Sequence, residues 1–321
     1  MYSWGSDDTT GWKNPGYDFG DAKKAYFEEL KEEAPKSRTY SEKIGPNLGL
    51  VNPKGKNIST KSKNPISILV DGTGSMQTWP AEIFDRLPLL YQTLVKYRDD
   101  IDISFSVIGD ARIDTWPLQV GNYEKGVKLE EQLKALHAEG GGGPGIRESY
   151  ELYSYFMLHH AEISNATKPF LFVMGDEKFY DKIDAKQIET IIGDTIQGPL
   201  ISTDVWKELG EKFDVYFLRK TYAPNDNDIV SQWRDALGEQ KIVTIHDGTR
   251  VVDYAIGIIA DKWGQLDDFE KNLSARQDSK TVDVVMDSIK AASVIIEPGM
   301  KSKLLLPEEG KKSVSLMEVK T

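Results

Sequence analysis

Apolar residues fall along this chain in short blocks that alternate between a strand-like and a helix-like spacing. Ile66-Ser-Ile-Leu-Val70 is a short apolar run ending at Asp71-Gly72, the pattern of a buried strand entering a turn. From Trp79 to Tyr97, apolar side chains at Ile83, Phe84, Leu87, Leu90, Tyr91, Leu94 and Val95 form a helical stripe despite Pro88. Ile101, Ile103, Phe105 and Val107 alternate with polar residues, which predicts a strand with one covered face. A hairpin across residues 110–114 pairs it with a second strand at 115–120. Helices are expected over 124–137 and 146–163, separated by the glycine run of residues 140–145. Residues 168–174 form another buried run ending in Gly175-Asp176. Helices near 185–192, 203–211, 228–237 and 250–263 then alternate with strands at 213–218 and 241–245. After Trp263 the chain turns polar, with one more helix expected over 281–292 and a tail after Pro298.

Strand and helix in alternation predict an α/β fold: a doubly wound, mostly parallel sheet flanked by helices. Residues 65–264 make up this domain, residues 1–64 an N-terminal arm and residues 265–321 a C-terminal extension. In the arm only Asp21 to Glu33 has helical spacing, with Ala22, Tyr26, Phe27 and Leu30 near one face. Its aromatics, among them Trp4, Trp12, Tyr17 and Phe19, are expected to pack on the main body.

Composition narrows the function. Hydrophobic residues make up 39% of the 321, enough for a sizeable core. With 40 basic against 51 acidic residues, the net charge of −11 repels phosphate, which argues against a non-specific grip on nucleic acid or an anionic membrane. Cysteine is absent, which excludes disulfides, zinc ribbons, iron–sulfur ligation and a thiol nucleophile. The N-terminus lacks a basic segment followed by an apolar run, so a cytoplasmic location is expected. The Asn57-Ile-Ser and Asn165-Ala-Thr triplets are then chance matches to a glycosylation acceptor.

In an open parallel sheet, ligands collect beyond the carboxyl ends of the strands. Two predicted strands end there in aspartate, Asp71 and Asp176. Asp71 opens the string Asp71-Gly-Thr73-Gly-Ser75, a carboxylate followed by hydroxyls two and four residues on. The intervening glycines let the backbone turn sharply enough to bring the three oxygens to one point. Oxygen donors without nitrogen or sulfur suit a small hard cation, Mg²⁺ or Mn²⁺, that keeps some of its waters.

Over residues 64 to 264 this pattern resembles the von Willebrand factor type A (VWA) domain. That family's metal-ion-dependent adhesion site (MIDAS) uses an Asp-x-Ser-x-Ser string after the first strand and an Asp after the fourth. Here the matching residues are Asp71, Thr73, Ser75 and Asp176, with Thr73 preserving the hydroxyl. The family also supplies a threonine from a third loop. The matching segment, residues 140–149, contains none. There Glu148 or Ser149 reaches the metal, directly or through water, or Glu148 only complements the dipole of the following helix. The resemblance implies a non-catalytic, cation-dependent protein–protein interaction module whose partner offers an acidic side chain to the metal. Intracellular members often work beside an AAA+ ATPase or in other multiprotein assemblies.

Two other readings stand beside it. Phosphatases of the haloacid dehalogenase type also carry Asp-Gly-Thr after the first strand and a downstream Gly-Asp, matched here by Gly175-Asp176 with Asp181 and Lys168. Their acid/base carboxylate lies two residues beyond the nucleophile, where this chain has Thr73. The third reading is a metal-free structural subunit, with arm and tail reaching neighbouring copies. The glycine run lacks the Lys-Ser/Thr ending of a phosphate-binding loop, and His159 and His160 point about 100° apart on a helix, so they cannot share a metal. Asp110, just after the second strand, is expected at the rim of the same surface.

Overall fold

Runs of β-branched and aromatic residues pair into one sheet. The computed structural model describes residues 45–76, 86–140, 147–167, 169–221 and 226–293. Its six main strands are β1 (Ile66–Asp71), β2 (Ile103–Ile108), β3 (Leu118–Val120), β4 (Phe170–Gly175), β5 (Asp214–Lys220) and β6 (Ile242–Ile245). They lie in the order β6-β5-β4-β1-β2-β3. All neighbours are parallel except β3, which returns antiparallel to β2 through the expected hairpin. The protein is therefore an α/β fold built on a mostly parallel six-stranded sheet. The chain leaves β1 toward one edge and later restarts at β4 on its other side, which opens a crevice between the carboxyl ends of β1 and β4.

Helices cover both faces. The main ones are α1 (Leu87–Tyr97), α2 (Val127–Ala135), α3 (Tyr150–His160), α4 (Ser202–Lys212), α5 (Asn227–Leu237), α6 (Val251–Lys262), α7 (Leu266–Ser274) and α8 (Ser279–Ser293). Because side chains alternate along a strand, Ile66, Ile68 and Val70 of β1 face the core shared with α1, α2, α6, α7 and α8. Leu69 faces the core of α3, α4 and α5. Burial on both faces corrects the expectation of one covered face for β2. Ser104 and Ser106 there are buried as well, and the Ser104 hydroxyl donates to the Gly121 carbonyl at 2.9 Å.

The helix expected over 146–163 is shorter. Arg147–Glu148 pairs instead with Lys178–Phe179, and Ala161–Glu162 with Ile58–Ser59. The latter ties residues of the expected arm to the body, and Val51 enters the core beneath α2. The helix expected over 185–192 begins as Ala185–Gln187 and continues as a wider π turn, Ile188–Ile192. The expected helix at 21–33, the arm's aromatics, residues 77–85 and the tail after Pro298 lie outside the described residues.

The polar stretch after Trp263 contributes to the core. Phe269 and Leu273 of α7, with Val282, Val285, Met286 and Ile289 of α8, pack with α6. Gly257 makes the approach possible: a Cβ there would sit 2.1 Å from Ile289 Cδ1 and 2.8 Å from Phe269 Cε1. A buried ion pair between Arg276 and Asp253, at 3.0 Å, pins the turn after α7 to α6. Truncating Phe269 to alanine is expected to cost about 3–5 kcal/mol, read as a lowered urea midpoint with an unchanged slope. An unchanged midpoint would show that these helices do not seal the core.

Candidate functional site

β1 delivers Asp71 to the crevice, and the Gly-Thr-Gly-Ser turn folds back over it. Gly72 is needed at this turn because a Cβ would lie 2.6 Å from Val107 Cγ1 on β2. Thr73 donates to Asp71 Oδ1 twice, from its amide at 2.9 Å and its hydroxyl at 2.6 Å. Thr73 Oγ1 stands 3.2 Å from Ser75 Oγ, and Ser75 Oγ donates to Asp176 Oδ1 at 2.9 Å. Two carboxylates that are 105 positions apart in the chain and two alcohols thus form one continuous string of oxygens.

Asp71, Thr73 and Asp176 are buried and Ser75 is half-buried. Asp176 Oδ2 has no hydrogen-bond partner although it is buried, an expensive arrangement unless a cation or ordered water meets it. Burial, with Asp176 nearby, pushes the Asp71 carboxyl up to about 7 against the favourable bonds from Thr73 and Tyr150. Asp176 is also raised by burial, opposed by Ser75 and by the charge of Lys220.

Glu148 enters from the two-residue strand ahead of α3. It is buried, Oε2 has no partner, and burial followed by the charge of Asp71 lifts it to about 10. The third loop therefore brings Glu148 toward Asp71. It does not bring Ser149, whose hydroxyl accepts from the Ala111 amide at 2.9 Å. Asp110 is tied into its own loop by Arg112 N at 3.0 Å and by Tyr180 OH at 2.9 Å. Asp181 pairs with Arg147 at 3.0 Å and with Gln232, and Lys168 lies outside the described residues. His159 packs beside Tyr155, while His160 bonds Asp194 at 2.7 Å.

Three further residues complete the surroundings. Glu177 follows Asp176 into the interior and is raised to about 8, mainly by burial. Lys220, the last residue of β5, donates from Nζ to the Ser75 carbonyl. Tyr150, in the first turn of α3, donates its hydroxyl to Asp71 Oδ2 at 2.5 Å. The glycine of Gly175-Asp176 makes room for that phenol, since a Cβ at Gly175 would lie 2.1 Å from the Tyr150 hydroxyl. The only sequence signal for this contact was the Gly-Asp pair itself. Gly175→Ala is expected to displace Tyr150 and destabilise the fold by about 1–3 kcal/mol. The Tyr150→Phe/Gly175→Ala double variant should recover part of that loss in thermal denaturation.

The donor set fits a small hard cation: two carboxylates, two hydroxyls and one unpartnered carboxylate oxygen, with no nitrogen or sulfur. Among the described residues, no three His, Asp or Glu side chains form a metal cage by themselves. No helix among the described residues is long and apolar enough to cross a membrane.

No family model matches the sequence, and no curated protein matches it. Among solved structures, the pilus adhesin SpaC from Lactobacillus rhamnosus GG in its open conformation aligns with a TM-score of 0.45 at 10% identity, over 68% of this chain and 31% of the adhesin. Proximal thread matrix protein 1 from the mussel byssus aligns with a TM-score of 0.41 at 9% identity, over 65% of this chain and 49% of the matrix protein. The chain thus spans about a third of the first and half of the second.

Proposed function

We propose that this chain is a VWA-type, doubly wound domain that binds Mg²⁺ or Mn²⁺ and presents it to an acidic side chain of a protein partner. The observation that carries the reading is the oxygen string from Asp71 through Thr73 and Ser75 to Asp176 at the crevice between β1 and β4. In this reading Asp71 and Asp176 supply the negative charge that holds the ion, and Thr73 and Ser75 supply neutral oxygens. The bound cation supplies a Lewis-acidic position for a carboxylate. Glu148 occupies the third-loop position, raised by its burial and by the charge of Asp71. Few anionic ligands leave the ion electron-poor, so it attracts an acidic group from outside. The role is interaction without catalysis, in the cytoplasm, with an AAA+ ATPase or another multiprotein assembly as the partner.

A phosphatase would need a proton donor beside its nucleophile. The residue in that position, Thr73, donates its hydroxyl to Asp71 itself. Calorimetric titration of Mg²⁺ into the chelator-treated chain tests the proposal. Saturable binding at one ion per chain is expected. Absence of binding, with an oligomer indifferent to chelator, would favour the metal-free structural subunit instead.

A further inference from the structure

Lys220 is the one basic side chain in direct contact with the Asp71–Ser75 turn among the described residues. Register puts it there: Arg219 of β5 is the Cα partner of Gly175 of β4, so Lys220 comes up alongside Asp176. Its Nζ reaches across to the Ser75 carbonyl, and its charge favours ionised Asp176. The neighbouring Arg219 is engaged by Asp226 in a buried ion pair. Among the described residues no carboxylate pairs with Lys220, so its charge is directed at the site. A lysine placed to neutralise an acid would bond the carboxylate oxygens; this one bonds the backbone carbonyl of the turn and leaves Asp176 Oδ2 without a partner.

Resting on the cation-binding reading above, we propose that Lys220 is a specificity-determining residue for the acidic ligand: it weakens binding of the bare cation and strengthens binding of a carboxylate to the loaded site. The physical reason is charge. Two aspartates alone would cancel a divalent ion. One ammonium beside them makes the loaded site more positive by one charge than it would otherwise be, which favours an anion over water or a neutral ligand. Like charge between the ammonium and the ion acts in the opposite direction on the ion itself. Ligand preference and cation affinity are therefore set against each other by one side chain.

The test uses the full chain, Mn²⁺ as the cation and acetate as the carboxylate probe. Lys220→Met is expected to bind Mn²⁺ roughly three- to tenfold more tightly than the parent at low ionic strength, with the difference shrinking as salt is added. Acetate binding to the Mn²⁺-loaded chain, read by paramagnetic broadening of the acetate methyl resonance, is expected to weaken by a similar factor. Lys220→Arg, which keeps the charge, should resemble the parent in both. Weaker Mn²⁺ binding by Lys220→Met would overturn the proposal and make the lysine a strut for the turn. Unchanged acetate affinity would overturn it too. If the parent binds no Mn²⁺ above the level of Asp71→Ala, the cation reading itself fails, an outcome distinct from either of these.

Discussion

Replacing Asp71 with alanine or asparagine is expected to weaken Mg²⁺ binding by on the order of 100-fold or more, leaving no measurable saturable heat. Asp71 contributes one of the two anions in the site, and its Oδ1 is the fixed point around which Thr73 is oriented. The two variants separate loss of the ion from loss of the fold. Asp71→Ala leaves the buried Tyr150 hydroxyl without its acceptor, which costs about 1–3 kcal/mol. Asp71→Asn keeps the shape and lets the phenol accept from the amide, so the chelated variant should be at least as stable as the parent. Ser75→Ala, which removes a neutral oxygen and one bond to Asp176, should lose roughly tenfold in affinity. Equal Mg²⁺ affinity in the parent and Asp71→Asn would remove the cation site from the account.

The second large effect is on stability against pH. Asp71 stands at about 7, Glu151 and Glu177 at about 8 and Glu148 at about 10, each raised chiefly by burial. For an acid whose folded value is raised, the folded state holds its proton where the unfolded chain has lost it. Stability therefore falls as pH rises from the ordinary carboxyl value to the folded one. Below about pH 4 these groups contribute nothing, and between about pH 5 and 8 their penalties accumulate. Asp194 and Asp268 are shifted downward and act at lower pH, while Lys56, lowered to about 8 by burial, acts above this window. His159 is lowered by partial burial and works in the opposite sense, as one exposed group against four buried acids. The melting temperature of the chelated protein is expected to fall by roughly 5–10 °C between pH 5 and 8. Saturating Mg²⁺ should recover much of the part due to Asp71 and Asp176, because the ion stabilises their ionised forms. A flat profile in chelator, or one that Mg²⁺ leaves unchanged, would contradict this assignment of the buried charge.

Much of the sheet is legible in the sequence because its strands are short apolar runs bounded by turn residues. Ile66–Asp71 could be placed to within one residue and Phe170–Gly175 to within two. Legibility failed where small polar residues are buried within the sheet: Ser104, whose hydroxyl bonds the Gly121 carbonyl, and Ser106 look like a solvent face, yet they lie inside. It failed again at α7, where Leu266, Phe269 and Leu273 are the apolar minority of a charged helix. At the site, Asp71, Thr73, Ser75 and Asp176 were recognisable because strand-end carboxylates and glycine-spaced hydroxyls leave a local pattern. Tyr150 leaves only the glycine of the Gly175-Asp176 pair and Lys220 leaves none, since each reaches the turn from a separate element: a helix for Tyr150, and for Lys220 a strand whose register alone brings it beside Asp176.

Sealing one face of the sheet with residues as late as 293 also constrains the order of events during synthesis. Until α7 and α8 have left the ribosome, the side of α6 around Gly257 remains a greasy surface open to nascent-chain binders. A stalled or clipped product ending near residue 264 would present the same surface to chaperones and proteases.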